Sequence, residues 1–137
     1  MFTAGSKLDG QLGTKFDDSK LADETNDYSS PLNQVLPFGD DDTNWAVRIS
    51  CGDSFTMILD ESGKVWSFGK GTHGRLGHGD DKNLDEPKVI EKLPKTTWIS
   101  AGCRHSAAIS EKGELYTWGF NFYEQLGLGS DKDFDVP

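Results

Sequence analysis

Three features of the 137-residue sequence predict an all-β fold of four-stranded antiparallel blades set side by side. They are an internal repeat of 50 residues, short apolar runs at strand spacing between glycine turns, and no segment with sustained helical periodicity. Placing Ile49-Ser50-Cys51-Gly52 over Ile99-Ser100-Ala101-Gly102 and continuing without gaps makes 11 of 34 residues identical between 49–82 and 99–132. About two identities would arise by chance at average composition. Five of the identities are glycine pairs: Gly52/Gly102, Gly63/Gly113, Gly69/Gly119, Gly77/Gly127 and Gly79/Gly129. Several short strands per repeat, punctuated by glycine, indicate a β-propeller.

Within each repeat the elements are predicted in order. Arg48 to Cys51 and Trp98 to Ala101 read as first strands, Phe55 to Leu59 and Ser106 to Ile109 as second strands. Glu61-Ser62-Gly63 and Glu111-Lys112-Gly113 make tight hairpin turns, where glycine is free to take a positive φ. In the third strands Trp66 and Phe68 share one face, as do Tyr116 and Trp118, with Ser67 and Thr117 opposite. A loop closing on Leu-Gly-x-Gly follows, and Lys88-Val89-Ile90 after Pro87 suggests a weaker fourth strand. The aromatic rings are candidates for the contact between blades, with Gly77 and Gly79 letting the chain pass beneath them.

A third copy is visible at the N-terminus. Phe2-Thr3-Ala4-Gly5 with Gly10-Gln11-Leu12-Gly13 matches Trp66-Ser67-Phe68-Gly69 with Gly74-Arg75-Leu76-Gly77, at an offset of 64 instead of 50. Fourteen extra residues therefore lie between Gly13 and Gly52, and the polar stretch near 15–28 is where a loop absorbs them at small entropic cost. The chain divides into a first repeat, 1–63, a second, 64–113, and a shortened third, 114–137.

Composition narrows the function classes. A net charge of −9 repels polyanions, since phosphate binding rests on Lys and Arg, so nucleic acid is a disfavoured partner. No stretch of 18 apolar residues is available to span a membrane. Two cysteines, Cys51 and Cys103, and no Asn-x-Ser/Thr sequon among five Asn fit a reducing interior, cytoplasmic or nuclear. His78 aligns with Leu128 and His73 with Tyr123, so neither position demands a metal ligand. Asp40-Asp41-Asp42 lacks the spaced carboxylates and central glycine of a calcium loop and reads as solvated. No Gly-x-Ser-x-Gly element or phosphate-binding loop appears, so the expectation is a binding protein without cofactor or catalytic site.

Gly63-Lys64-Val65-Trp66-Ser67-Phe68-Gly69 with Gly74-Arg75-Leu76-Gly77-His78-Gly79, and Gly113-Glu114-Leu115-Tyr116-Thr117-Trp118-Gly119 with Gln125-Leu126-Gly127-Leu128-Gly129, resemble the regulator-of-chromosome-condensation repeat. Gly102-Cys103-Arg104-His105-Ser106 is similar to that family's Gly-x-x-His-Ser/Thr element. The Gly-Gly doublet of kelch repeats and the Trp-Asp ending of the WD type are both missing. Three positions depart from the pattern: Phe55 stands in place of His, Glu124 replaces the glycine found as Gly10 and Gly74, and Thr14-Lys15 lacks the second glycine. The resemblance implies a propeller that closes with seven blades, of which about 2.7 periods are present here. Further blades, self-association or a partner chain are then expected to complete the ring. It implies a structural His105, hydrogen-bonded within its blade.

The leading functional expectation is a protein-interaction scaffold, because propellers present one loop per blade on a shared face. Candidate contacts are Lys70, His73 and Arg75 in one loop and Phe120, Phe122, Tyr123 and Glu124 in its equivalent. Packing on the neighbouring blade is the competing role for those aromatics. The resemblance also permits guanine-nucleotide exchange on a small GTPase. A light-sensing role like that of the plant UV-B receptor is disfavoured, because Cys103 holds the position of a required Trp.

Overall fold

The computed structural model describes residues 2–3, 9–11, 13, 33–34 and 45–137. Among them no α-helix occurs. Strands β1 (Phe2–Thr3) and β2 (Asn33–Gln34) form an antiparallel pair. A four-stranded meander follows: β3 (Ala46–Cys51), β4 (Phe55–Asp60), β5 (Val65–Gly69) and β6 (Leu84–Val89). A third sheet contains β7 (Thr96–Ala101), β8 (His105–Ser110) and β9 (Leu115–Gly119).

The 50-residue repeat is reproduced in the register of the first three strands of the second and third sheets. Ala46 pairs with Asp60 and Thr96 with Ser110, and each ladder then shifts register before Arg48/Leu59 and Trp98/Ile109. Gly69 pairs with Leu84, and an isolated bridge joins Gly119 to Phe134, the same positions one repeat later. That bridge stands where β6 begins in the second sheet. Pro87 lies inside β6 and does not merely precede it, because an outermost strand has one unpaired edge where a missing N–H costs no ladder bond. The suspected insertion near 15–28 and Asp40-Asp41-Asp42 lie outside the described residues.

The hairpin between β4 and β5 is organised by Asp60, which is buried. Its carboxylate accepts from Ser62 Oγ (2.6 Å), the Lys64 N–H (2.9 Å) and Trp66 Nε1 (2.8 Å). Burial pushes this carboxyl up, but the donors outweigh it and hold it below the usual value. In the third sheet Ser110 takes over, accepting from the Lys112 and Glu114 N–H groups and donating to Glu114 Oε2.

The main core fills the space between the second and third sheets. Phe55, Met57, Leu59 and Val65 of the second sheet meet Ile99, Ala108 and Trp118 of the third, with Leu76 and Ile90 from the connections. Trp118 is fully buried, and its Nε1 donates to the Arg75 carbonyl at 3.0 Å. Burying about 150–250 Å² of such a ring contributes roughly 4–6 kcal/mol before entropy is charged. Gly77 makes room for it: a Cβ there would lie 2.8 Å from Trp118 Nε1. The junction before it is built alike, since a Cβ at Gly13 would lie 2.7 Å from the Phe68 ring. Thr56 Oγ1 donates to the Gln11 carbonyl as Ser106 Oγ donates to that of Arg75. The second and third sheets thus each wedge one aromatic ring against a glycine of the preceding blade. Gly79 does not share that role; its N–H donates to the Asp135 carbonyl.

Candidate interaction surface

In an antiparallel meander the first and third connections leave the same end of the sheet. The β3–β4 turn at Asp53 and the β5–β6 loop beginning at Lys70 therefore share one face with the β7–β8 turn at Arg104 and the loop following β9. Backbone bonds lock the pairs together: Lys70 N–H to the Ser54 carbonyl (2.8 Å) and Phe120 N–H to the Arg104 carbonyl (2.9 Å). Between blades, the Asp53 N–H donates to the Cys103 carbonyl (2.9 Å).

Each loop reaches back to the preceding blade. Lys70 Nζ lies 3.8 Å from Asp9 Oδ2, and Asn83 Nδ2 lies 3.5 Å from Asp9 Oδ1. One repeat later, His73 Nδ1 is 2.8 Å from Asp133 Oδ2 and its ring meets Phe120 edge-on at 4.8 Å. His73 corresponds to Asp9, Phe120 to Lys70 and Asp133 to Asn83, so an ionic clasp in one junction becomes an aromatic and ionic clasp in the next. Lys70, His73 and Phe120 are consequently engaged between blades.

Phe122 and Tyr123 meet no partner blade among the described residues, and Tyr123 stands at the repeat position of Asp9 and His73. They are 65% and 77% exposed. Their rings meet edge-on at 5.1 Å, and both rest on Phe120, at 6.4 and 6.1 Å. Asn121, fully buried, fixes the loop beneath them: its amide donates to the Ser130 and Lys132 carbonyls, and its Oδ1 accepts the Leu126 N–H. The Asn121 N–H donates to Asp133 Oδ1 at 2.7 Å.

Arg75 is removed from the candidate contacts. It is 2% exposed, and its guanidinium donates to the carbonyls of Thr72 (2.8 Å) and Asp53 (2.9 Å) and to Thr72 Oγ1 (2.9 Å). Burial pulls its pKa below the ordinary guanidinium value. Its charge ties the β5–β6 loop to the β3–β4 turn instead of facing solvent. Glu124 is exposed and takes a positive φ of 56° where Gly10 and Gly74 have 77° and 69°.

His105 departs from the expected ring hydrogen bond: among the described residues its imidazole has none. The ring instead covers Gly102, leaving no room for a Cβ, and the His105 carbonyl accepts the Gly102 N–H. Phe55 covers Gly52 in the same way, so Phe fits a position where shape decides. Ser67 and His78 approach to 2.9 Å, but the Ser67 hydroxyl donates its single proton to the Leu76 carbonyl (2.7 Å). His78 must then donate to Ser67, the opposite of a base activating a nucleophile. Burial also lowers the His78 pKa, favouring the neutral ring. Sequence reasoning passed over Asp9, Asn121 and Asp133. The alignment of Asp133 with Asn83 was a usable signal, as both are acceptors at one loop position.

Antiparallel sheets of one register, each wedging a ring onto the blade before it, define a segment of a β-propeller. The chain belongs to the regulator of chromosome condensation (RCC1) repeat family, whose pattern residues 62–109 and 112–137 match; a second pattern of the same description matches 46–75. It is 43% identical over 63 residues to the E3 ubiquitin-protein ligase MYCBP2 of Danio rerio, covering 45% of this chain and 1% of that protein. It is 40% identical over 62 residues to the RCC2 homolog of the same organism, covering 42% of this chain and 12% of that protein. Prp20p of Saccharomyces cerevisiae superposes with a TM-score of 0.80 at 24% identity, over 99% of this chain and 33% of its own. Human WBSCR16 does so with 0.79 at 23%, over 99% and 33%. The chain thus spans about a third of those structures and at most 12% of the relatives named here. Among the described residues no helix is long and apolar enough to cross a membrane.

Proposed function

We propose that this chain is a protein-interaction segment of a propeller, and that the loop Phe120–Glu124 is its contact surface. The observation carrying this reading is the exposure of Phe122 and Tyr123 on a loop whose backbone is fixed from below by Asn121. Exposed aromatics on a rigid support lose little entropy on binding, which is why such residues dominate interface energetics. His73 contributes by holding Phe120 beneath the platform, whereas Lys70 closes the preceding junction onto Asp9. Enzymatic chemistry has no part in this reading.

The outer face of the third sheet needs a cover of another kind. Ile109 and Leu115 are 37% and 67% exposed, whereas their equivalents Leu59 and Val65 are buried by the third sheet itself. A further blade of the same repeat, from a longer chain or another copy, fits that face. Two exposed free cysteines support an intracellular setting, cytoplasmic or nuclear.

Guanine-nucleotide exchange is the second reading, favoured by the likeness to Prp20p, whose structure is described with its binding to Gsp1p and histones. Exchange would require tighter binding to the nucleotide-free GTPase than to the loaded one. Unchanged nucleotide release from a Ran-type GTPase would remove it. The interaction reading is tested by partner capture with the full chain and with the Phe122→Ser/Tyr123→Ser variant. The partners retained by the chain are expected to be lost from the variant; equal capture by both would overturn the loop assignment.

A further inference from the structure

We infer that a cleft at the opposite end of the second sheet takes the carboxy-terminal aliphatic residue of a partner chain. The cleft is separate from the loop Phe120–Glu124, and its argument does not rest on that loop.

In a meander the second connection leaves the end opposite to the first and third, so the β4–β5 hairpin points away from the loop face. Between that hairpin and the connection from β6 to β7 lies a cleft of about 310 Å³. Val65 and Ile90, both buried, close its bottom, and the half-buried Val89 and Leu93 form its sides. The Thr96 N–H donates to the Gly63 carbonyl at 2.9 Å and the Ile90 N–H to that of Val65 at 2.8 Å, which ties the two walls together. Every wall comes from residues 62–95, within a junction whose two sheets are both described, so the shape of the cleft does not depend on a further blade. Ligand sites begin at about 300 Å³, so this one admits a single side chain and not an extended segment.

The charges on the lining are Lys64, Lys95 and one carboxylate, Glu91. Lys64 has no ion pair among the described residues. Lys95 is set in place: a Cβ at Gly63 would lie 2.5 Å from its Cγ, and its Nζ is 3.5 Å from Glu111 Oε2. The blade itself requires neither lysine, for Lys64 aligns with Glu114 and Lys95 with Trp45. In a chain with 23 acidic against 14 basic residues, two ammonium groups around one apolar hollow select an aliphatic group that carries negative charge. Glu91 repels a second carboxylate and so limits the occupant to one.

A carboxy-terminal Leu, Ile or Val joins both parts in one residue. Lys64, Glu91 and Lys95 are exposed, so the cleft is open along its mouth. A free small acid would keep much of its surface in water there, whereas small-molecule sites bury about 70–90% of theirs. A chain terminus can leave through the open side.

The test titrates the full chain with acetyl-Gly-Gly-Leu while the backbone amides of Gly63 and Glu91 are followed by NMR. Both amides are expected to shift, and binding should weaken with added salt. Amidating the peptide terminus, or ending the peptide in Gly, should weaken it at least about threefold. Lys64→Glu, a change the third sheet already carries as Glu114, should cost about two- to tenfold, and Glu91→Gln should strengthen binding. Equal binding of the amidated peptide would reduce the cleft to an apolar crevice and overturn the inference. Equal binding of the Gly-ended peptide, an unaffected Lys64→Glu variant, or no shift at millimolar peptide would overturn it too. Tighter binding of 4-methylpentanoate than of the peptide would make the cleft a small-acid site and overturn its assignment to a chain terminus. None of these failures bears on Phe122 and Tyr123, whose own partner-capture test stands apart.

Discussion

At the scale of single residues, Asp60 and Arg75 are buried charges handled in different ways. Asp60 is held ionised by three donors, so its folded pKa lies below the ordinary carboxylate value. A depressed carboxylate stabilises the fold above the unfolded value of about 3.9, and that contribution disappears as pH falls through the folded pKa. Asp60→Asn is expected to cost about 1–3 kcal/mol at pH 7. Thermal melts should show the gap to the unmodified chain narrowing as pH drops below about 4; a gap constant to pH 2 would contradict the assignment. Neither role was legible beforehand. A strand-end Asp looks like any turn residue, and Arg75 reads as a surface cation until the fold places the Asp53 carbonyl and Thr72 around it. The buried Trp118 was legible, because a large ring alternating with small polar residues has one physical explanation.

Among the elements, the blade junction is the unit that repeats. Ring on glycine, hydroxyl on carbonyl and loop clasp recur at both junctions, 50 residues apart on the ring side and 64 on the glycine side, so the sequence alignment already contained the junction. What it did not contain was the outermost strand, whose exposed edge lets its hydrophobic pattern decay and admits Pro87. Nor did alignment reveal that Gly79 serves a backbone bond instead of a ring. Gly77 and Gly127 permit a comparison at this scale. Both have positive φ, but a Cβ at Gly127 meets nothing within 4 Å. Gly77→Ala is expected to cost about 3 kcal/mol, from backbone strain plus overlap with Trp118. Gly127→Ala should cost about 1 kcal/mol, from strain alone. Equal losses in denaturant unfolding would mean that the third sheet's outer face is already covered in solution.

For the molecule as a whole, an acidic sequence and two junctions of one design describe a segment of a propeller, a fold that works through contacts. The all-β architecture and its period were legible because glycine turns and aromatic wedges sit at fixed positions along the chain. The contact surface was half legible: the unusual aromatic content of Phe120–Glu124 marked the loop, but not which rings pack and which face solvent. Lys70 and His73 met their partners only across a junction, and contacts between blades leave no local trace. The division of labour in this loop is tested most directly by the melting temperature of the Phe122→Ser/Tyr123→Ser variant. Rings 65% and 77% exposed should shift it by less than about 3 °C. A fall of about 8 °C or more would show that they hold the blade together and are not its contact surface.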